Sequence, residues 1–282
     1  MSQINIGEMK LYYLNKNYHQ LAKQGSDAWL SGRQTRFGGS EIANITGKKS
    51  DKQILIVNKI KQLFKTNLFC WWGQTFESIA KYYMYKVLMI DIHEFGAIPA
   101  TNYPVAYSPD GVIIKNNDLC LLEIKCPFLR DVNITTNIKD CYMKQIQMGM
   151  VILPCDTCEF IQFKFRKCKD TQIHTIGAYD RYFHKETRRS PKQNELWYGA
   201  LYWNTRDAIT YNYITERPPD KIYYSFQENV YNICEKYNKG VLMYFKCFYI
   251  NTKTIKKDIS FENNKNKIWT AYYELINQFN RL

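Results

Sequence analysis

The chain lacks any long apolar stretch. Runs such as Val87–Ile90 and Val151–Pro154 fall far short of the ~20 residues that a bilayer-spanning helix requires. The opening residues MSQINIGEMK have neither the basic start nor the apolar stretch of an export signal. Gly/Ser-rich linkers and internal repeats are missing too, so nothing in the sequence divides it into separate units. These absences predict a soluble, intracellular protein with residues 1–282 in a single domain. Acidic residues are scarce relative to basic ones: 26 Asp+Glu stand against 39 Lys+Arg, for a net charge of +13. A polyanionic partner is expected, with nucleic acid first. A membrane surface is not expected, because no basic helix is free of aromatic core positions. What is present argues against disorder, since 45% of residues are hydrophobic and 23% charged.

The nine cysteines have no disulfide-scaffold spacing and are expected to be reduced thiols. Cys155 and Cys158 form a lone CxxC. A metal site there would need a further ligand from Cys168 or His174; a turn that happens to hold two thiols is the simpler expectation.

Apolar periodicity predicts helices around Tyr13–Lys23, Glu41–Ile45, Asp51–Phe64, Gly73–Leu88 and Ile138–Val151. Ser40 suits an N-cap and Gly47 a helix stop. Strands are predicted at Phe95–Ala97, Val105–Tyr107, Gly111–Ile114, Leu119–Cys126 and Glu159–Phe165. The order predicts an α/β or α+β core around a central sheet. Two helices should close the chain, one along Phe226–Tyr237 and one along Ile268–Phe279; both apolar stripes suit core packing.

One stretch carries chemistry. Asn116-Asn117 separates two apolar runs, and asparagine tolerates positive φ, so a two-residue hairpin turn is expected. Folding about that turn sets Asp110 opposite Glu123. Side-chain alternation puts Glu123 and Lys125 on one face and Leu122 and Ile124 on the other. Two adjacent carboxylates repel unless a cation lies between them or one is protonated. Hard oxygen ligands of this kind suit Mg²⁺ or Mn²⁺ bound together with a phosphate. Taken alone, an Asp…Glu-x-Lys pattern also fits a surface hairpin with an ion pair.

The residues around it add specificity. Ser108-Pro109-Asp110-Gly111, followed by Leu122-Glu123-Ile124-Lys125-Cys126-Pro127, resembles the signature of the phage lambda exonuclease and YqaJ-type viral recombinase family of the PD-(D/E)xK nuclease superfamily. The resemblance extends to Trp29–Arg33, Phe37–Ala43, Gly73–Glu77 and Tyr142–Gln147, in the family's order, over residues 25–167. Residues 168–282 find no match and read as a helical C-terminal extension to a core in which helices flank a mixed sheet.

The resemblance implies a role for each matching residue. Asp110, Glu123 and the backbone carbonyl of Ile124 would hold two Mg²⁺ or Mn²⁺ ions, with Glu77 nearby and Lys125 as the catalytic lysine. Gln145 would be the active-site glutamine; the residues themselves, with Gly149 four positions on, suggest that it faces a groove where backbone or substrate could approach. Arg33 and Ser40 would bind a 5′-phosphate. Arg36 departs from the family pattern and is a candidate second phosphate contact. The implied activity is a metal-dependent 5′→3′ exonuclease on double-stranded DNA, leaving 3′ single strands for recombination or viral or phage genome processing. An annealing protein would be its partner, and both homo-trimer and monomer stay open. Lys48, Lys49, Lys164, Arg166, Arg181, Arg188 and Arg189 are candidate contacts to the phosphate backbone. An endonuclease on the same core, acting on DNA or RNA, is one alternative. A non-catalytic nucleic-acid-binding protein and an iron–sulfur nuclease are the others.

Overall fold

A computed structural model describes residues 5–22, 26–63, 68–86, 88–130, 132, 137–168, 197–203, 210–214 and 240–281. Among the described residues, six helices precede or lie within the main sheet's sequence: α1 (Ile6–Tyr18), α2 (Asp27–Gly32), α3 (Ile42–Thr46), α4 (Lys49–Ile60), α5 (Leu68–Lys86) and α6 (Asp140–Ile152). A last helix, α7 (Lys265–Phe279), follows it. The strands are β1 (Phe37–Gly38), β2 (Ile98–Pro99), β3 (Val105–Tyr107), β4 (Gly111–Lys115), β5 (Asp118–Lys125), β6 (Thr157–Cys168), β7 (Trp197–Trp203), β8 (Thr210–Ile214) and β9 (Gly240–Lys256).

The larger sheet has the order β4-β5-β6-β9-β7-β8 and is mixed, with β5 and β6 parallel and the other pairs antiparallel. A small sheet, β1-β3-β2, lies apart. Alternation along β5 divides the core. Cys120, Leu122 and Ile124 face α5, where Trp72, Phe76, Ile79, Ala80 and Tyr83 cover them. Leu119 and Leu121 face the opposite way, toward Ile146 and Met150 of α6 and Leu14 of α1. A third cluster joins α3, α4 and α7 through Ile42, Ile56, Ile268 and Leu275, with Met148 from the outer face of α6. An α+β fold with helices on both faces of a mixed sheet is therefore observed, as the sequence predicts.

Three local expectations change. Strand β2 falls at Ile98–Pro99 rather than Phe95–Ala97. Gly96 lies against the end of the α1 region instead, where an added Cβ would sit 2.5 Å from the Ala22 carbonyl. Helix α1 starts earlier than expected because Asn5 caps it, accepting from the Glu8 N–H at 3.1 Å. Ser40 is not a helix cap: a 3₁₀ turn at Gly39–Glu41 precedes α3, and its N-cap is Gly38. The expected C-terminal helix is present as α7, but strands β7, β8 and β9 precede it. β9 pairs along the full length of β6, so this part of the chain completes the core sheet. The helix expected along Phe226–Tyr237 and the basic stretch Arg181–Lys192 lie outside the described residues.

Candidate active site

The floor of the site is the β4–β5 hairpin. Asn116 and Asn117 both adopt left-handed backbone, with φ of 52° and 63°, the conformation of a two-residue hairpin turn. The register runs from Lys115↔Asp118 to Gly111↔Leu122. Strand β4 begins at Gly111, and the next position places Asp110 at the level of Glu123. Asp110 takes over where the ladder stops: its Oδ2 accepts the Ile124 N–H at 2.6 Å. Glu123 is fully buried. Its Oε2 accepts the Tyr107 hydroxyl at 2.7 Å, and its Oε1 pairs with Lys125 Nζ. The Lys125 ammonium lies 5.4 Å from the centre of the Tyr142 ring.

These groups disturb one another. Burial pushes the Glu123 carboxyl up to about 7; Lys125 opposes this and Asp110 adds to it. Glu77 projects from α5 between Phe76 and Ala80. Burial, followed by the Asp110 charge, raises it to about 7, against the pull of Lys81 at 3.0 Å. Burial works against the charge on Lys125, but Glu123 and Asp110 outweigh it and hold the lysine above its ordinary range. Burial and the Glu123 charge together raise Tyr107 well above the usual phenol value, so its proton is firmly held.

The opposite wall is the segment from Arg33 to Glu41. The Arg33 guanidinium lies 4.7 Å over the Trp29 ring, and its Nη2 donates to Glu41 Oε1 at 2.6 Å. Trp29 Nε1 in turn donates to Ser108 Oγ at 3.0 Å, tying this wall to the residues before Asp110. Glu41 Oε2 accepts the Gly38 N–H at 2.8 Å and pairs with Lys59 Nζ at 2.9 Å. Lys59 is completely enclosed and also donates to the carbonyls of Arg33 (2.9 Å) and Arg36 (3.0 Å). Burial pulls its pKa down, and Glu41 counters that.

Between floor and wall lies a cleft of about 460 Å³ lined by Arg33, Arg36, Ser40, Glu77, Asp110, Lys125 and Gln145, with Trp29 and Tyr107 among the other lining residues. The residues named from the sequence as site candidates thus converge on one cavity, with Glu123 and Ile124 directly behind Asp110. Gln147, two residues beyond Gln145, turns away: its Nε2 donates to the Lys256 carbonyl at 3.0 Å and its Oε1 accepts the Asp258 N–H at 2.8 Å.

Residues 28–156 match the model of the YqaJ-like viral recombinase domain. This stretch is thus similar to a YqaJ-like viral recombinase domain. The chain is 33% identical over 189 residues to "Protein D345L" of African swine fever virus (isolate Tick/Malawi/Lil 20-1/1983), covering 55% of this chain and 53% of that protein. To the same-named protein of the strain Badajoz 1971 Vero-adapted it is 32% identical over 232 residues, covering 70% and 64%. The match thus spans between about half and two thirds of these relatives' length. A solved structure of the alkaline exonuclease LHK-Exo from Laribacter hongkongensis has a TM-score of 0.51 at 15% identity, covering 91% of this chain and 95% of that one. The chain shares its fold with that structure.

The donors around the cleft suit a divalent ion in kind. Asp110, Glu77, Glu123 and the Ile124 carbonyl are hard oxygens of the sort Mg²⁺ and Mn²⁺ take, and a cation offsets the burial and the Asp110 charge that raise Glu77 and Glu123. Among the described residues no three His, Cys, Asp or Glu side chains converge as a closed metal cluster. Two carboxylates suffice for Mg²⁺, which keeps several waters and shares its remaining positions with substrate phosphate.

Sequence reasoning missed Tyr107, Glu41 and Lys59. Only Lys59 left a faint signal, since it falls three residues after buried Ile56 on the inward stripe of α4. Two expectations are corrected. Gly149 does allow a close approach, but by neither backbone nor substrate: it makes room for the Tyr107 side chain, whose ring would lie 2.6 Å from a Cβ there. Lys164 is not a surface cation: it is buried, and its ammonium donates to the carbonyls of Phe128 (2.9 Å) and Arg130 (2.8 Å). Lys48 and Lys49 are exposed and Arg166 half-buried. Arg181, Arg188 and Arg189 lie outside the described residues. Cys155 and Cys158 are buried free thiols, and burial raises both well above the ordinary thiol value, which disfavours the thiolate that a metal requires. Among the described residues no helix is long and apolar enough to cross a membrane.

Proposed function

We propose that this protein is a divalent-metal-dependent deoxyribonuclease that degrades double-stranded DNA from 5′-phosphorylated ends in the 5′→3′ direction. The observation that carries this reading is the single cleft with Asp110, Glu77 and Lys125 on one side and Arg33, Arg36 and Ser40 on the other. One wall suits hydrolysis of a phosphodiester and the other suits capture of a terminal phosphate, at a separation set by one small cavity.

Asp110, Glu123, the Ile124 carbonyl and Glu77 would hold Mg²⁺ or Mn²⁺, and two ions suit the number of donors. The metal, when bound, polarises the phosphodiester and lowers the pKa of a water molecule. The chain's own groups do the rest. Lys125, kept charged by Glu123 and Asp110, orients the attacking water and stabilises negative charge developing on the phosphoryl oxygens. Gln145 supports the strand being cut from its place on α6. Arg36 offers the cleft a guanidinium, while Arg33 reaches it with part of its charge answered by Glu41. Ser40 adds a hydroxyl donor. The net charge of +13 favours approach of duplex DNA. The 3′ single strand left behind is a substrate for an annealing protein in recombination or viral genome processing.

The test uses end-labelled linear duplexes and covalently closed circular DNA, each with and without Mg²⁺. Metal-dependent release of nucleotides from 5′-phosphorylated linear ends, with circles untouched, is the expected result. Cutting of circles at a similar rate would make the enzyme an endonuclease. Binding without cleavage in any divalent metal would leave a nucleic-acid-binding protein.

A further inference from the structure

Tyr107 belongs to none of the motifs that mark the site, yet it sits at its centre. Strand β3 turns the side chain inward, leaving it 1% exposed, and its hydroxyl donates to Glu123 Oε2 at 2.7 Å. The ring occupies a slot that exists because positions 39 and 149 are glycine. A Cβ at Gly39 would come within 2.3 Å of the ring, and one at Gly149 within 2.6 Å. Gly39 lies beside Ser40 in the 3₁₀ turn of the cleft wall, and Gly149 lies on α6, so two separate elements clamp the phenol from both sides. Glu123 itself is fully enclosed. Its other oxygen pairs with Lys125, which would otherwise be free to draw the whole carboxylate to itself.

We propose that Tyr107 is a positioning residue: its clamped hydroxyl holds Glu123 Oε2, so that Lys125 engages Oε1 alone and the carboxylate keeps one fixed orientation toward a divalent cation. The inference rests on the metal-dependent reading above. A group that orients a metal ligand through a hydrogen bond typically contributes 10–100-fold in metal affinity. Because the ring is clamped by Gly39 and Gly149, the orientation is set before metal arrives.

The test is Mn²⁺ titration of the full chain without DNA, followed by electron paramagnetic resonance of the free ion, for wild type, Tyr107→Phe and Asp110→Asn. Tyr107→Phe keeps the ring and removes only the hydroxyl. Its Mn²⁺ dissociation constant should rise about 10–100-fold, and nuclease activity should recover at saturating Mn²⁺. Wild-type affinity in Tyr107→Phe, with binding lost in Asp110→Asn, overturns the role of Tyr107 and leaves the metal site standing. Wild-type affinity in Asp110→Asn overturns the metal site and this inference with it. Should Tyr107→Phe not fold, Gly149→Ala, which displaces the ring and keeps the hydroxyl, is titrated in its place. A weakened affinity there supports the proposal and an unchanged one overturns it.

Discussion

The hairpin floor and the Arg33–Glu41 wall meet at the same cleft but are held by different means. The floor is local: a two-residue turn and ladder hydrogen bonds between neighbours in sequence place Asp110 beside Glu123. The wall has little regular structure and is held by a charge network reaching 26 residues along the chain, from Lys59 to the Arg33 carbonyl. Local pairing brings acids together at the cost of their mutual repulsion. A buried lysine and a glutamate instead hold an irregular loop whose carbonyls no ladder satisfies. Change in the floor should therefore be felt in chemistry, and change in the wall in stability.

The largest effect should come from the floor. Asp110→Asn keeps an oxygen to accept the Ile124 N–H but loses the charge; DNA hydrolysis should fall at least about 10²–10³-fold with the far-ultraviolet circular dichroism unchanged. Nucleotide release from labelled duplex measures it, and near-wild-type activity would break the comparison. Next comes the wall. Lys59→Met leaves Glu41 and two carbonyls without their buried cation and should cost about 3–5 kcal/mol of stability by urea unfolding. The same variant should lose the preference for 5′-phosphorylated over 5′-hydroxyl ends. A neutral effect on stability would mean that the loop holds itself.

A smaller effect is the pH dependence of the metal-free protein. Glu77 and Glu123 have folded values of about 7 against an ordinary 4.5. Between those limits the folded state binds more protons than the unfolded one, so stability falls as pH rises from about 4.5 to 7. Glu77→Gln, and separately saturating Mg²⁺, should flatten that fall; urea midpoints at pH 5 and pH 8 decide it. The smallest change concerns the turn. Asn116→Val forces a β-branched residue into left-handed backbone and should cost about 1 kcal/mol, whereas Asn117→Gly should be neutral or slightly stabilising.

Much of the floor was legible because its determinants lie within 16 residues. Asn116-Asn117 fixed the turn, and strict alternation then assigned a face to every residue from Asp118 to Lys125. Gln145 could be preferred over Gln147 for the same kind of reason, since helical spacing sends them in different directions. The wall was legible only as a set of residue types. Arg33 and Ser40 could be named, but not the Glu41–Lys59 pair that holds them, because a lysine on a helix reads as exposed unless its partners are known. Strand β9 went unread because its pairing partner, β6, lies about 85 residues earlier.

The sequence by itself determined the hairpin, its register and the acidic pair, because strand pleat and turn preference act between near neighbours. It also determined the basic balance that favours a polyanionic partner. Only the tertiary structure decided that Glu77, Lys125 and Gln145 share one cleft with Arg33, Arg36 and Ser40, and that Tyr107 is wedged between two glycines against Glu123. Those contacts join elements far apart in the chain. They form because packing a helix on each face of one twisted sheet leaves these side chains a single common opening.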